Sequence, residues 1–211
     1  MVDSALKFLS DLTTFNEEKT LLTILGNVAR SFSFFQLVEV NTKMVLPKIL
    51  YSTQYITHDF KTFPLLIQRF LKDSKEKSER FPSILVLAMP GPVINNKVSL
   101  VNIPEWGELS GNEIAMEFNF QNCIFLNDFE AVAYSVLKLD KEDFFQFNIG
   151  AQSSEKEKFA VLSPGPGLGY STIVPAPFKK GIRHYVWPGE GAHAAFSPVT
   201  EEQVEFMLWA V

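Results

Sequence analysis

The sequence contains little cysteine and no long apolar run, and both absences exclude classes of protein. Cys123 is the single cysteine among 211 residues, so neither an internal disulfide nor a multi-cysteine metal site can form. The longest apolar run, residues 83–89, falls far short of the roughly 20 residues that cross a bilayer. The first residues, Met1–Ala5, lack the basic segment that begins a secretory signal. We therefore expect no membrane span and, by default, a cytoplasmic location.

Positive charge is also scarce. The chain carries 19 Lys and Arg against 24 Asp and Glu, a formal net charge of -5. This balance argues against a broad phosphate-binding surface, so nucleic acid is not an expected partner. With 46% hydrophobic and only 20% charged residues, the chain has the composition of a folded protein. Its 20 phenylalanines indicate either a bulky core or a surface that partners cover, and composition leaves both open.

A β-hairpin is predicted near the start of the chain. Residues 21–25 and 32–40 are rich in the β-branched and aromatic residues that favour strands. Gly26 and Asn27 lie between these stretches and form a dipeptide that is typical of turns. We therefore expect the hairpin to turn at these two residues.

Helices are predicted on both sides of this hairpin. Apolar residues at helical spacing indicate a short helix within an N-terminal extension, residues 1–20, and a longer helix that begins at residue 63 and frays into a charged loop over residues 72–77. A further strand is expected within residues 43–51, where Pro47 requires an edge position or a break.

The remainder of the chain alternates buried strands with helices, which predicts an α/β fold. Residues 83–88 form a continuous apolar run, typical of a strand buried on both faces of a parallel sheet. Residues 123–126 form another such strand, in which Cys123 is interpreted as a small core residue. The other expected elements are a turn at 90–92, helices at 112–118 and 129–139, a strand at 158–163, extended segments at 170–174 and 181–186, and a last helix after a capping box of Thr200 and Gln203.

Asn127 and Asp128 form the first candidate site. They follow the strand 123–126 directly and precede a predicted helix, and open α/β sheets bind ligands in loops at strand ends. The positive N-terminal end of that helix would keep Asp128 ionised, so that it could take a hydroxyl proton as a general base. Asp128 could instead be only the N-cap of the helix, and the residues alone leave both interpretations open.

Two glycine-containing loops are the other candidates. In residues 187–193, small residues let the backbone approach a ligand, while Glu190 and His193 offer polar groups that suit sugar hydroxyls. An ordinary polar surface turn is the alternative interpretation of this loop. Residues 164–169 have the glycines of a phosphate-binding loop, with Pro166 at a position where a backbone N–H would be useful.

Taken together and in this order, the segments resemble the bacterial-type glucokinase family, whose members are actin-like, ribonuclease H-like sugar kinases. The matching stretches are residues 85–92, 101–106, 126–129 and 187–193. The resemblance implies a ribonuclease H-like α/β fold (the actin-like ATPase and hexokinase fold). It places a first lobe over residues 21–126 and the start of a second, incomplete lobe over residues 127–211.

The resemblance also implies roles for the candidate residues on the sugar side. In this family, the aspartate of the leucine-asparagine-aspartate-phenylalanine motif is the catalytic base for the sugar 6-hydroxyl, and the asparagine binds the sugar. These roles fall on Asp128 and Asn127. Glu190 and His193 are likewise implied to bind glucose, with Ala192 in place of one glycine of the family's loop. We expect the sugar side of the site to be largely preserved.

The two loops that hold phosphate in this family are matched only in part. Residues 23–30 are matched to the first loop, where Thr23 replaces an aspartate that would help organise magnesium and Leu25 replaces a glycine. In the second loop, Pro166 removes both a hydroxyl and a backbone donor. The cofactor-binding residues implied by the resemblance are Gly26, Asn27, Arg30, Gly165, Gly167 and Gly169.

The resemblance implies ATP and magnesium as cofactors, but with such loops we do not expect them to be bound productively. Losing one donor of this kind costs roughly 3 to 4 kcal/mol of transition-state stabilisation, so several losses should leave little activity. We therefore expect a degenerate glucokinase that serves as a structural or interaction subunit, with a partner protein or a second copy covering apolar surface. An active ATP-dependent glucokinase and a non-catalytic hexose sensor are the alternatives. No residue is assigned as a metal ligand.

Overall fold

The computed structural model describes residues 20–41, 47–147, 157–164, 168–178, 181–191 and 194–210. The predicted N-terminal helix lies outside these ranges. The chain divides into two compact units, Met1–Ala131 and Val132–Val211, and each is described by itself. Within the ranges given above, no helix is both long and apolar enough to cross a membrane.

A five-stranded mixed sheet forms the centre of the first unit. Its strands are β1 (Leu21–Val28), β2 (Phe32–Val40), β3 (Lys48–Ile56), β4 (Ile84–Met89) and β7 (Asn122–Asn127), and a small separate hairpin consists of β5 (Lys97–Ser99) and β6 (Glu108–Ser110). The strand order is β3-β2-β1-β4-β7. The first three strands pair antiparallel, whereas β4 and β7 run parallel to β1. This confirms the parallel arrangement predicted from the apolar run in β4.

Helices bury one face of this sheet. They are α1 (Phe63–Ser74) and α2 (Gly111–Phe118), and α3 (Asp128–Val136) follows β7. Phe63 and Phe70 of α1 are fully buried in one cluster with Phe35 of β2, so part of the large phenylalanine content forms the core. Phe145 and Phe147, in contrast, are 87% and 90% exposed, so another part lies on the surface. Cys123 is buried in the same core cluster, as predicted.

The first hairpin turns later than the sequence predicts. β1 continues through Gly26 and Asn27, and the chain reverses at residues 29–31. A Cβ atom on Gly26 would lie 2.6 Å from Leu87 Cδ2 and 2.8 Å from Phe35 Cδ1, which is closer than real contacts. Glycine is therefore required here by close packing inside the sheet, and the prediction of a turn at this dipeptide is wrong.

The edge strand and the helix after it agree with the sequence pattern. β3 lies at the edge of the sheet, as Pro47 predicts, and it begins directly after the proline. The predicted helix from residue 63 is α1, which continues to Ser74, and a short 3₁₀ turn over residues 75–77 takes the place of the rest of the predicted loop. Pro64 lies in the first turn of α1, where its missing N–H costs no helical hydrogen bond.

The second unit contains a three-stranded antiparallel sheet. Its strands are β8 (Phe159–Pro164), β9 (Leu168–Phe178) and β10 (Gly181–Gly189), in the order β10-β9-β8, and α4 (Glu201–Ala210) follows. A small core joins Ala133 of α3 to Ile173 of β9 and Val186 of β10. The division between the units falls inside α3, and the assignment of residues 21–126 and 127–211 to two lobes stays a prediction.

The predicted capping box of α4 forms only in part. Thr200 Oγ1 accepts a hydrogen bond from the Gln203 N–H at 3.3 Å, as expected. The Gln203 side chain, however, accepts from the N–H of Val199 at 2.8 Å and not from that of Thr200. The helix buries none of its residues.

Candidate functional site

Asn127 joins the end of β7 to the beginning of α3. Its Oδ1 atom accepts hydrogen bonds from the N–H groups of Phe129 at 2.9 Å and Glu130 at 3.1 Å. Its Nδ2 atom donates to the carbonyl oxygen of Gly91 at 3.0 Å. Only 6% of Asn127 is exposed. Asn127 is therefore the N-cap that satisfies the free N–H groups at the start of the helix.

Asp128 is the first residue of α3 and is half-buried. The interpretation of Asp128 as the N-cap is therefore wrong, because that position belongs to Asn127. The Asp128 Oδ1 atom also accepts from the Phe129 N–H, at 2.8 Å. Both this contact and the positive end of the helix favour the ionised carboxylate, which is the form that a general base needs.

Glu130 completes the polar start of α3. Burial raises the pKa of Glu130, and a hydrogen bond from the Asn127 backbone opposes this rise. Because the Asn127 side chain accepts from the Glu130 N–H, the two residues form a reciprocal capping box. This arrangement holds the backbone on both sides of Asp128.

The site lies at the carboxyl edge of the parallel strands. Register pairs Asn27 with Ala88, and Ala88 with Leu126, so β1, β4 and β7 end close to one another. Side chains alternate between faces along a strand, so Asn127 lies on the buried face with Met89, whereas Asn27 lies exposed on the opposite face. The structure thus brings Asn27 to the same edge as Asn127 but directs their side chains apart.

Thr57 supports the turn between β1 and β2 by hydrogen bonds. The Thr57 N–H donates to the carbonyl oxygen of Ser31 at 3.0 Å, and its hydroxyl donates to that of Ala29 at 2.8 Å. The Ser33 hydroxyl lies 2.9 Å from the Thr57 hydroxyl, and both residues are fully buried. Arg30 is exposed at this turn.

Thr23 does not lie in a loop. It is in β1, 4% exposed, and its register partners are Val38 and Ile84. At about 3.3 Å per residue, the six residues to Ala29 place it roughly 20 Å from the turn. Thr23 thus lies well away from the turn itself, and the assignment of residues 23–30 to a phosphate loop stays a prediction. Its Oγ1 atom has no hydrogen-bond partner among the described residues.

The other candidate residues belong to the second unit. Gly169 lies at the start of β9 opposite Ser163, and Glu190 is exposed directly after β10. Gly165, Gly167 and His193 lie outside the described residues. Close packing requires a glycine at position 189, directly before Glu190, because a Cβ atom there would lie 2.6 Å from the Tyr170 ring.

Two residues that shape the site could not be recognised from a motif in the sequence. Thr57 supports the first turn, and Asn96 binds the free edge of β7, yet neither lies in a candidate motif. A signal for the second existed in the Asn95-Asn96 dipeptide, because asparagine tolerates the left-handed conformation that tight hairpin turns require. Thr57 had no local signal, because its partners lie more than twenty residues away.

Within the described part of the chain, no group of three or more His, Cys, Asp or Glu side chains could hold a metal ion. Cys123 is also unsuited to such a role, because burial raises the pKa of its thiol to about 12.

Comparison with known proteins agrees with this architecture. The glucokinase family model matches residues 24–210. A glucokinase from Trichormus variabilis is 32% identical over 187 residues, which cover 89% of this chain and 51% of the relative. A glucokinase from a Nostoc species is 30% identical over the same share of each chain. The chain thus spans about half the length of the curated relatives that it matches.

Solved structures show the same fold. A glucokinase from an Antarctic psychrotroph superposes with a TM-score of 0.68 at 23% identity, covering 89% of this chain and 55% of that one. A glucokinase from Balamuthia mandrillaris, solved in complex with glucose, also superposes with a TM-score of 0.68, at 16% identity. This match covers 98% of this chain and 58% of that one. The predicted actin-like, ribonuclease H-like fold is thereby confirmed. With a family match over most of its length and a relative above 30% identity, this chain belongs to the glucokinase family.

Proposed function

We propose that this chain is a hexose-binding member of the glucokinase family in which phosphoryl transfer is lost or strongly reduced, and that it acts as an interaction subunit of a larger assembly. The first part rests on the contrast between the Asn127-Asp128 pair, which hydrogen bonds hold in place, and the first phosphate loop, where Leu25 replaces a glycine. A cytoplasmic location is part of the same proposal.

The sugar side supports hexose binding. Asn127 is buried and bonded on both of its side-chain ends, so the position of Asp128 at the start of α3 is firmly defined. A carboxylate at a helix N-terminus suits a sugar hydroxyl, to which it can offer a hydrogen-bond acceptor. Glu190 and His193 would contribute further polar contacts, as the family resemblance implies.

The phosphate side supports weak catalysis. Leu25 stands where the family's first loop has a glycine, and it carries a side chain where close approach of phosphate to backbone favours glycine. Gly26 is not free for this purpose, because Leu87 and Phe35 fill the space beside it. ATP and magnesium therefore fit these residues poorly, and we derive no catalytic step through them.

The experiment that tests this proposal combines glucose binding with glucose phosphorylation. We expect glucose to raise the melting temperature of the purified chain, and ATP-dependent phosphorylation to stay at background. Asp128→Asn should weaken the glucose effect, whereas Asp59→Asn, the same change at an exposed position of the first unit, should leave it intact. No stabilisation at high glucose concentration would overturn the hexose-binding part.

An active glucokinase is the second candidate, favoured by the ionised state expected for Asp128 beside the helix N-terminus. It predicts turnover above background that disappears in Asp128→Asn and persists in Asp59→Asn. A non-catalytic hexose sensor predicts the same glucose effect without turnover, together with its loss in His193→Ala.

The interaction role is supported by apolar residues on α4. Phe206, Leu208 and Trp209 are 56%, 69% and 82% exposed, and large exposed apolar patches are typical of protein interfaces. We expect sedimentation velocity to detect association that Trp209→Ser weakens. Val101→Ser, at an 85% exposed position of the first unit, is the matched control. A chain that stays monomeric over a wide concentration range would contradict self-association.

A further inference from the structure

Asn96 occupies the free edge of β7 in the way that a further strand would. β7 is an edge strand of the five-stranded sheet. The Asn96 Nδ2 atom donates to the carbonyl oxygen of Cys123 at 2.8 Å, and its Oδ1 atom accepts from the N–H of Phe125 at 2.9 Å. A residue of a neighbouring parallel strand makes the same pair of bonds, one to each of two alternate residues. The side-chain amide therefore completes the backbone pairing of β7 at this point.

The backbone of Asn96 is fixed by a tight turn. Asn95 and Asn96 have φ values of 55° and 59°, and Ile94 and Lys97 exchange backbone hydrogen bonds of 2.9 and 3.0 Å. This is a two-residue hairpin with both central residues left-handed, a conformation that asparagine tolerates better than most residues. The turn thus presents the Asn96 amide in one orientation.

Further contacts hold the turn against α2. The carbonyl oxygen of Asn96 accepts from the N–H of Gly111 at 2.9 Å, and its Nδ2 atom also donates to Asn112 Oδ1 at 3.3 Å. A Cβ atom on Gly111 would overlap the Asn96 amide and lie 2.8 Å from the carbonyl oxygen of Cys123. Asn96 therefore connects the turn, the start of α2 and the edge of β7.

We propose that Asn96 is a positioning residue for the Asn127-Asp128 pair. The segment between β4 and β5 binds β7 at two places: Asn96 holds Phe125, and the carbonyl oxygen of Gly91 holds Asn127 two residues later. Together these bonds fix the twist of the last residues of β7 and their position relative to the segment between β4 and β5. That in turn sets where the Asn127 cap begins α3 and where Asp128 is presented.

Without Asn96, the carbonyl oxygen of Cys123 and the N–H of Phe125 would form hydrogen bonds with water. Of the two contacts from the segment between β4 and β5, only the Gly91 bond would then hold the end of β7. The role of Asn96 in positioning Asn127 and Asp128 does not rest on the proposed function; only its effect on sugar binding does. It therefore has a test that does not depend on glucose.

The test is amide hydrogen exchange in Asn96→Gly, which keeps the left-handed backbone and removes the side chain. We expect at least a tenfold faster exchange at the N–H of Phe125 and also at those of Phe129 and Glu130, which Asn127 caps. Backbone amides of β2, such as that of Leu37, which pairs with residues of the strands on both sides, should exchange at an unchanged rate. Faster exchange confined to Phe125, or an equal rise at every core amide, would overturn the proposal.

Two further variants separate positioning from general stability of the turn. Asn95→Gly changes the other left-handed residue, and an equal effect at Phe129 and Glu130 would show that the turn and not the amide matters. Asn96→Asp should restore slow exchange at low pH, because a neutral carboxyl can donate to the Cys123 carbonyl oxygen and accept from Phe125 N–H. Ionisation at higher pH should remove the rescue, relative to wild type at each pH.

Glucose affinity tests whether this positioning serves sugar binding. If wild-type chain binds glucose, we expect Asn96→Gly to raise the dissociation constant about tenfold and Asn95→Gly to change it little. If the wild type does not bind glucose, the proposed function fails, and the exchange rates still decide the role of Asn96. Unchanged affinity together with faster exchange at Phe129 and Glu130 would overturn the claim that the positioning serves the sugar.

Discussion

Asn127 Nδ2 donates a hydrogen bond of 3.0 Å to the carbonyl oxygen of Gly91, 36 residues earlier in the chain. Gly91 has a φ of 114°, which a residue with a side chain rarely adopts, so the Pro-Gly-Pro turn after β4 needs glycine at this position. The bond thus connects the turn that ends one parallel strand to the residue that ends the next and caps α3.

This relationship predicts that Asn127 has two separable contributions to stability. Asn127→Ala removes both the helix cap and the Gly91 bond, and the cap alone should cost about 1–2 kcal/mol in the free energy of unfolding. Asn127→Ser keeps a capping oxygen and loses the bond to Gly91, so its cost should be smaller. Urea unfolding of both variants checks the order, and equal losses would mean that the cap contributes little.

The raised pKa of Glu130 predicts a pH-dependent effect of Glu130→Gln. Burial makes the folded protein hold this proton to higher pH than the unfolded chain does. The contribution of Glu130 to stability is therefore greatest below its unfolded pKa, near 4.3, and falls as pH rises through the folded pKa.

A glutamine at this position does not ionise, so its contribution to stability does not decrease with pH. The stability of Glu130→Gln relative to wild type should therefore increase between about pH 4 and pH 7. Urea unfolding at several pH values measures it. Glu113→Gln is the matched control, because exposed Glu113 has the equivalent position in α2, where its N–H is capped by Ser110. A difference that decreases with pH would contradict the prediction.

Gly26→Ala should destabilise the first unit, because the new methyl group would meet Leu87 and Phe35. We expect a loss of about 1–3 kcal/mol, the usual range for overpacking. Leu87→Val in the same chain should recover part of it, so the two changes should be less than additive. Unchanged stability combined with weaker nucleotide binding would instead favour a direct phosphate contact at Gly26.

Thr57→Val should loosen the turn between β1 and β2. The variant keeps the shape of the side chain but leaves the carbonyl oxygen of Ala29 and the Ser33 hydroxyl without their partner. Unsatisfied buried groups cost about 1–3 kcal/mol. Thr62→Val is the control, because Thr62 is exposed and makes no capping hydrogen bond. Equal stabilities of the two variants in thermal unfolding would refute the role of Thr57.

Local patterns in the sequence were sufficient for the elements that carry the candidate site. The apolar run that became β4 and the shorter one in β7 predicted strands buried in a parallel sheet, and the structure confirms both. The same patterns predicted that Asn127 and Asp128 follow a strand end. They could not decide which of the two caps α3, because adjacent residues with similar side chains differ only in backbone position.

Gly26 shows where local reasoning failed. A glycine followed by asparagine is a turn signal in most sequences, and nothing nearby distinguishes this case. The glycine is there because Leu87 and Phe35, on two neighbouring strands, approach it closely. For Asn96 the local dipeptide signals a turn, but its partners in β7 lie 27 and 29 residues away, so no local pattern predicts that its amide pairs with this strand.

The sequence by itself determined the order of the strands and helices of the first sheet, its parallel part and the position of the candidate pair, because periodicity and apolar runs act over a few neighbouring residues. The tertiary structure decided where the first hairpin turns, which residue caps α3, and how Asn96 and Gly91 hold the end of β7. These features depend on atoms brought together from distant parts of the chain, and their contacts leave no periodic trace in the sequence.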